Sequence, residues 1–312
     1  GVHQEDMEAI RQMRVWSRRS RAALDIFGVC FAEKPYTALA KEVKAVTRAL
    51  GTARDLDVMG GRLAVMQGEL PPEQQSGLAY AIETLLEQRQ QAQPAVIQAL
   101  EHLTQFDLMS RWKALQVLPA HALKTKRARS ASRPQLLTPT DTLVVNGARV
   151  LLLRIEGLLS YAPSLTDAKR VPEHHEMRIA AKRLRYTLEI FKEAFEAHPC
   201  SEVLSDLLQD VRALQEYLGD IHDADVLVPQ LVAPMRQLLE TGYGALPSGE
   251  LPVGTERVDF SGLLGLLSVC KSSSAWREQR FGELQLFWNT LTESHRLEQV
   301  QTALESIGKG DN

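Results

Sequence analysis

His175, Arg178, Lys182 and Arg185 recur at spacings of three and four residues, so on a helix turning ~100° per residue they share an arc of about 80°. Arg11, Arg14, Arg18 and Arg21 repeat that spacing earlier in the chain, with Arg19 lying apart from their arc. Each guanidinium offers a planar fork of donors that matches phosphate oxygens, and several forks along one helix face suit an extended polyanion. A single stripe of this kind is ordinarily a solvated surface. Here both stripes border an apolar seam: Ile10, Met13, Ser17, Ser20, Leu24 and Phe27 in the first, Met177, Ala181, Leu184, Leu188 and Phe191 in the second. Cations beside a packing seam line a groove rather than open water. Lys41, Lys44, Arg48 and Arg212 are candidates to extend its wall.

The net charge of −3 conceals this segregation. Segments 11–21, 121–133 and 178–185 hold no acid and carry five, five and four basic residues, which leaves 22 basic against 39 acidic residues elsewhere. Local positive fields on an otherwise acidic protein follow. Segment 121–133, with Lys124, Lys126, Arg127, Arg129 and Arg133, reads equally as a linker or as a lid that adds charge to the groove.

Chemistry beyond binding has little to work with. The sequence lacks a phosphate-cradling Gly-Lys-Ser/Thr loop, a Gly-x-Ser-x-Gly elbow, a dinucleotide Gly-x-Gly-x-x-Gly and a His-Glu-x-x-His pair. No catalytic residue, cofactor or metal site is therefore assigned. Asp55, Asp57, Asp223 and Asp225 read as helix caps, the second acid of each pair orienting a stripe arginine. A competing reading gathers Asp223, Asp225, His174, His175 and His222 around a metal, with Mg²⁺ or Ca²⁺ bridging to phosphate as its variant. Anion affinity is expected to rise modestly as pH falls through the imidazole range, with His175 as the responsive group. No aromatic platform interleaves with the stripes as base stacking requires, so nucleic acid is not the expected partner.

The elements that must hold these stripes are helices, because apolar periodicity near 3.6 dominates and alternating strand patterns are nearly absent. The reading is all-α. Helices are expected over about 6–28, from Pro35 to Gly51, 72–91, 95–123, 141–160, 172–197, from Ser201 to Gly219, 259–271 and 275–306, with glycine-marked reversals after Gly51 and Gly219. Trp112, Trp276, Phe281, Phe287 and Trp288 are core by default. Residues 124–140 carry linker character and 242–257 form a glycine- and proline-rich loop. At 44% hydrophobic the chain can bury a sizeable core. It has no apolar run approaching the ~20 residues of a membrane span, no signal-peptide pattern at Gly1-Val2-His3, and only three scattered cysteines, Cys30, Cys200 and Cys270. These features lead to the expectation of a cytoplasmic protein with reduced thiols and no membrane contact.

Two landmarks repeat. Met13-Arg14-Val15-Trp16-Ser17-Arg18-Arg19-Ser20-Arg21 matches Met177-Arg178-Ile179-Ala180-Ala181-Lys182-Arg183-Leu184-Arg185, and Leu50-Gly51 with Arg54-Asp55-Leu56-Asp57-Val58 matches Leu218-Gly219 with His222-Asp223-Ala224-Asp225-Val226. The offsets, 164 and 168 residues, are nearly equal. That pattern predicts an internal duplication, with an N-terminal half at 1–135 and a C-terminal half at 136–312, paired about a pseudo-two-fold axis around a shared basic groove.

With Glu173-His174-His175-Glu176-Met177-Arg178 running on to Tyr186-Thr187-Leu188-Glu189, and with both Leu-Gly-x-x-Arg/His-Asp-x-Asp-Val segments, the sequence resembles the CHAD family, the conserved-histidine α-helical domains. The resemblance treats 1–312 as one domain and implies a pair of four-helix bundles around a basic central cavity that binds inorganic polyphosphate. It further implies His175, Arg178, Lys182, Arg183 and Arg185, with Arg14, Arg18, Arg19 and Arg21, as anion-binding residues. Arg11 stands where the family's first half usually carries histidine. The triphosphate-tunnel domain attached to many relatives is marked by Glu-x-Glu-x-Lys, which is absent here. The expectation is a non-catalytic, stand-alone polyphosphate binder, conceivably granule-associated. A polyphosphate- or nucleotide-processing phosphohydrolase or phosphotransferase and an RNA-binding module are the alternatives.

Overall fold

A computed structural model describes residues 7–117, 137, 138, 140–243 and 260–309. The basic tract 121–133, the end of the helix expected over 95–123, and all but the first two residues of segment 242–257 lie outside them. The described chain is all-α: α1 Met7–Phe27, α2 Glu33–Glu69, α3 Gln75–Gln105, α4 Leu108–Lys113, α5 Leu143–Leu159, α6 Val171–Phe191, α7 Ser201–Tyr243, α8 Phe260–Glu293 and α9 Arg296–Lys309. No helix in the described residues is long and apolar enough to cross a membrane.

The expected reversals at Gly51 and Gly219 do not occur. Both glycines lie inside single long helices, α2 and α7, and Asp55, Asp57, Asp223 and Asp225 are mid-helix residues rather than caps. Packing decides this. Glycine costs a helix interior about 1 kcal/mol, whereas each fully buried leucine contributes roughly 1.5–3 kcal/mol, and Leu50 and Leu63 on α2 and Leu214, Leu218 and Leu227 on α7 are all buried along continuous seams. The same competition carries α3 through Pro94, between the buried Gln93 and Val96. It also carries α7 through Pro229 and Pro234. Near the C-terminus the break falls at His295, whose φ of 54° is left-handed, rather than at Lys271–Ser274. Ser272 satisfies its hydroxyl on the Val269 carbonyl without leaving the helix. Trp112 and Trp276 are exposed rather than core, while Phe281 and Trp288 are buried.

The chain divides into two compact units, each drawing residues from both sides of position 135. The first comprises Gly1–Arg14, Arg48–Leu100 and Ile221–Gln279. Its core joins Leu63, Leu78, Ala81 and Leu85 to Leu227, Leu231, Leu266 and Val269. The positions are matched: Leu63 and Leu231 are 168 residues apart, while Leu78 and Leu266, like Ala81 and Val269, are 188 apart. The crossing of α3 and α8 is reciprocal as well. A Cβ on Gly77 would lie 2.1 Å from the carbonyl oxygen of Gly262, and one on Gly265 would lie 2.0 Å from that of Gln74. Only glycine permits so close a backbone approach.

The second unit comprises Val15–Thr47, Glu101–Asp220 and Arg280–Asn312. Within it α5 packs against both α6 and α9, burying Val150, Leu151, Ile155 and Leu158. Thr142 caps α5 by accepting from Val145 N–H. The α1 and α6 helices meet at Phe27 and Phe191, whose ring centroids are 5.9 Å apart. Leu24, Leu39 and Val43 close a smaller cluster with Tyr36 and Leu108.

Candidate anion-binding site

The seams place the stripes as helical geometry requires. Met177, Ala181, Leu184, Leu188 and Phe191 are buried on α6, which leaves His175, Arg178, Lys182 and Arg185 half-buried beside them. On α1, Ile10 and Leu24 are buried, and Arg14 and Arg18 are half-buried, whereas Arg11, Arg19 and Arg21 are exposed. Lys41, Lys44 and Arg48 form an exposed face of α2, and Arg183 and Arg212 are exposed on α6 and α7. Arg11, Arg14 and Arg48 belong to the first unit and the remaining candidates to the second.

In the second unit three of these cations, from three helices, converge on one carboxylate. Arg19 Nη2 of α1 stands 3.6 Å from Glu189 Oε2, and Arg185 Nε of α6 and Arg212 Nη2 of α7 stand 3.8 and 3.6 Å from Glu189 Oε1. None of these contacts is short enough for a hydrogen bond. Glu189 Oε2 is buried and accepts no hydrogen bond, and Arg185 Nε is buried and donates none. Arg19, Tyr186, Glu189 and Ile190 line a cleft of about 260 Å³. Arg19 sits over the Trp16 ring at 5.6 Å and Arg185 over Tyr186 at 4.9 Å, so aromatic faces restrain both guanidiniums.

The resemblance assigns Arg19 to anion binding, while Glu189 has no role assigned from the sequence. Arg19 was set apart from the α1 arc, yet it is the α1 cation that reaches α6. A helical wheel describes one helix, and the neighbour's position decides which edge of the stripe is useful. Glu189 closes the α6 motif as its one acid among the stripe positions. Its signal was present, because 178, 182, 185 and 189 continue the spacing of four, three and four and place the acid inside the cationic arc. Asp25 completes the α1 stripe in the same way and pairs with Arg154 of α5 at 2.6 Å. Trp16, 64% exposed, lies on the side of α1 away from the Arg11–Arg21 arc and beside Arg19.

Other candidate groups are committed elsewhere. Arg14 bonds Asp55 at 2.7 Å, so it is the first acid of the motif that orients a stripe arginine. The second acids instead hold later helices: Asp57 pairs with Arg89 of α3 at 2.8 Å, both almost fully buried, and Asp225 pairs with Arg277 of α8 at 2.5 Å. Arg89 and Arg277 are again 188 residues apart. Arg11 makes a local fork to Glu8 at 2.6 and 2.7 Å. Those bonds, with one from Gln12, hold the Glu8 carboxyl down at about 2. His174 is buried at 2% exposure, with Nε2 3.0 Å from the Ser164 carbonyl and its ring 5.0 Å from Phe281. His174 is thus packed within the second unit, and Asp225 is ion-paired with Arg277 within the first. No group of three or more metal-ligating side chains gathers among the described residues. Burial raises the thiols of Cys30, Cys200 and Cys270, which suits packing rather than nucleophilic work.

A comparison with curated protein sequences gives no match. Among solved structures, PptA from Streptomyces chartreusis is similar with a TM-score of 0.54 at 19% identity, covering 92% of this chain and 91% of that one. At that identity the likeness speaks to the fold. The family model of the CHAD domain matches residues 1–231, which reach through the stripes, the Glu189 cluster and both Leu-Gly motifs. The chain belongs to the CHAD domain family.

Proposed function

We propose that this protein binds inorganic polyphosphate through its helical Arg/Lys/His stripes and does not turn it over. The observation that carries the reading is the convergence of Arg19, Arg185 and Arg212 beside a cleft, held near one another at 3.6–3.8 Å from a single carboxylate. Fork-shaped donors from three helices suit the oxygens of consecutive phosphate units better than those of a compact neutral ligand. Family membership supports the same ligand class. Arg18, Arg178 and Lys182 extend the positive surface along α1 and α6, and association with polyphosphate granules in the cytoplasm follows as a cellular expectation.

The test is a titration with long-chain polyphosphate of wild type beside Arg19→Gln/Arg212→Gln, with Tm as the folding control. These two side chains are 49% and 43% exposed, so their loss should leave the fold intact while affinity falls at least tenfold. Unchanged affinity overturns the assignment. Incubation with polyphosphate and Mg²⁺ should release no phosphate; steady release establishes the phosphohydrolase alternative instead. The exposed Trp16 beside Arg19 favours RNA as a second reading, because an aromatic face next to a guanidinium can stack a base. Competition between long polyphosphate and single-stranded RNA at several salt concentrations decides between them.

A further inference from the structure

The ligand-free cluster contains its own anion. Glu189 lies within the cationic arc of α6, faces the guanidiniums of α1, α6 and α7, and lines the cleft with Arg19. Its side chain is only 19% exposed. A carboxylate used merely as an ion-pair partner takes guanidinium hydrogen bonds near about 2.7–2.9 Å, as Asp55 does from Arg14 and Glu8 from Arg11. Glu189 instead stands 3.6–3.8 Å from all three. It gathers the cations without using their donors, and its charge remains where a bound phosphate must approach.

We propose that Glu189 is a specificity-determining residue that makes this site select long, highly charged phosphate chains over orthophosphate and short oligophosphates. This rests on the polyphosphate reading and deepens it. A small phosphate meets three guanidiniums and one carboxylate at close range, so like-charge repulsion cancels a large share of its attraction. A long chain seats an internal unit there, which carries one charge where orthophosphate and the end units of a short chain carry nearly two, while its other units reach cations beyond the cluster, such as Arg178 and Lys182 along α6. The repulsion against the long chain is then roughly half that against a small phosphate, and this difference enters the affinity ratio directly. Selectivity arises from an acid placed against the wrong ligands rather than from additional contacts to the right one.

The experiment measures affinities of wild type and Glu189→Gln for orthophosphate, tripolyphosphate and long-chain polyphosphate at one ionic strength, with Tm recorded for each. The amide keeps the size and removes the charge. The expected result is a gain of about tenfold for tripolyphosphate, a similar gain for orthophosphate, and about threefold for the long chain. The long-to-short affinity ratio therefore falls severalfold, and Glu189→Asp restores a ratio near that of wild type. A merely structural role for Glu189 predicts equal losses for all three ligands, and an equal change in either direction overturns the proposal. Should Glu189→Gln fold poorly, Glu189→Ala makes the same comparison. A wild type that binds long chains with an unchanged ratio in the variants sinks the selectivity role alone. A wild type that binds no long chain overturns the functional reading and the selectivity with it.

Discussion

His174 and His175 show how adjacent residues of one motif divide between core and stripe. His174 uses its imidazole as a packed polar group, with Nε2 on the Ser164 carbonyl and its face on Phe281, while His175 lies half-buried in the stripe. Replacing His174 by alanine should therefore cost about 2–4 kcal/mol in urea unfolding, through a cavity and an orphaned carbonyl. His175→Ala should cost less than about 1 kcal/mol and act on polyphosphate affinity instead. The buried Asp57–Arg89 pair makes a second residue-scale prediction. Asp57→Asn leaves a desolvated guanidinium and should destabilise by about 3–5 kcal/mol, whereas Asp57→Leu/Arg89→Met should recover most of that loss. Equal losses in the single and double variants would show that the pair stabilises in its own right.

Helices α2 and α7 pass through glycines that sequence rules read as stops. No atom lies within 4 Å of a Cβ added at Gly51 or Gly219, so Gly51→Ala and Gly219→Ala should each stabilise by about 0.5–1 kcal/mol. A reversal at either site would make the same substitution destabilising, so denaturation midpoints check the helix continuity directly. Gly77→Ala and Gly265→Ala should do the opposite. Each added methyl would meet a backbone carbonyl at 2.1 or 2.0 Å, and both variants should lose more than about 2 kcal/mol. The distances at the two glycines nearly match, and the Asp57–Arg89 pairing recurs as Asp225–Arg277.

At the scale of the whole molecule, charge is the governing quantity. A net −3 chain attracts a polyanion only through local concentration of its cations, so binding should weaken steeply with salt. Counterion release assigns roughly 0.7–0.9 to the slope of log K against log salt for each neutralised phosphate. Arg19→Gln/Arg212→Gln should thus reduce the slope by about 1.5, and Arg11→Gln, whose guanidinium forks to Glu8, should leave it nearly unchanged. An identical slope in wild type and the double variant would remove the cluster from the binding surface. Saturating polyphosphate should also raise Tm, because a ligand that binds the folded chain shifts the unfolding equilibrium.

The sequence by itself determined the helical class, the two stripes and their seams, and the repeated spacing, because each is a property of one helix or of a ratio along the chain. It also contained Glu189 at the next stripe position, although spacing says nothing of what an acid faces. Where long-range packing competes with local preference, the sequence misled. Gly51, Gly219 and Pro94 carry stop signals of about 1–3 kcal/mol, and the burial of several leucines on either side outweighs them. The partnership of Arg19 with Arg185 and Arg212, the role of Asp55 rather than Asp57 at Arg14, and the packing of His174 on the Ser164 carbonyl were likewise decided only in the tertiary structure. Each depends on which helix lies alongside which, and that is fixed by the summed burial of whole faces rather than by any residue's neighbours in sequence.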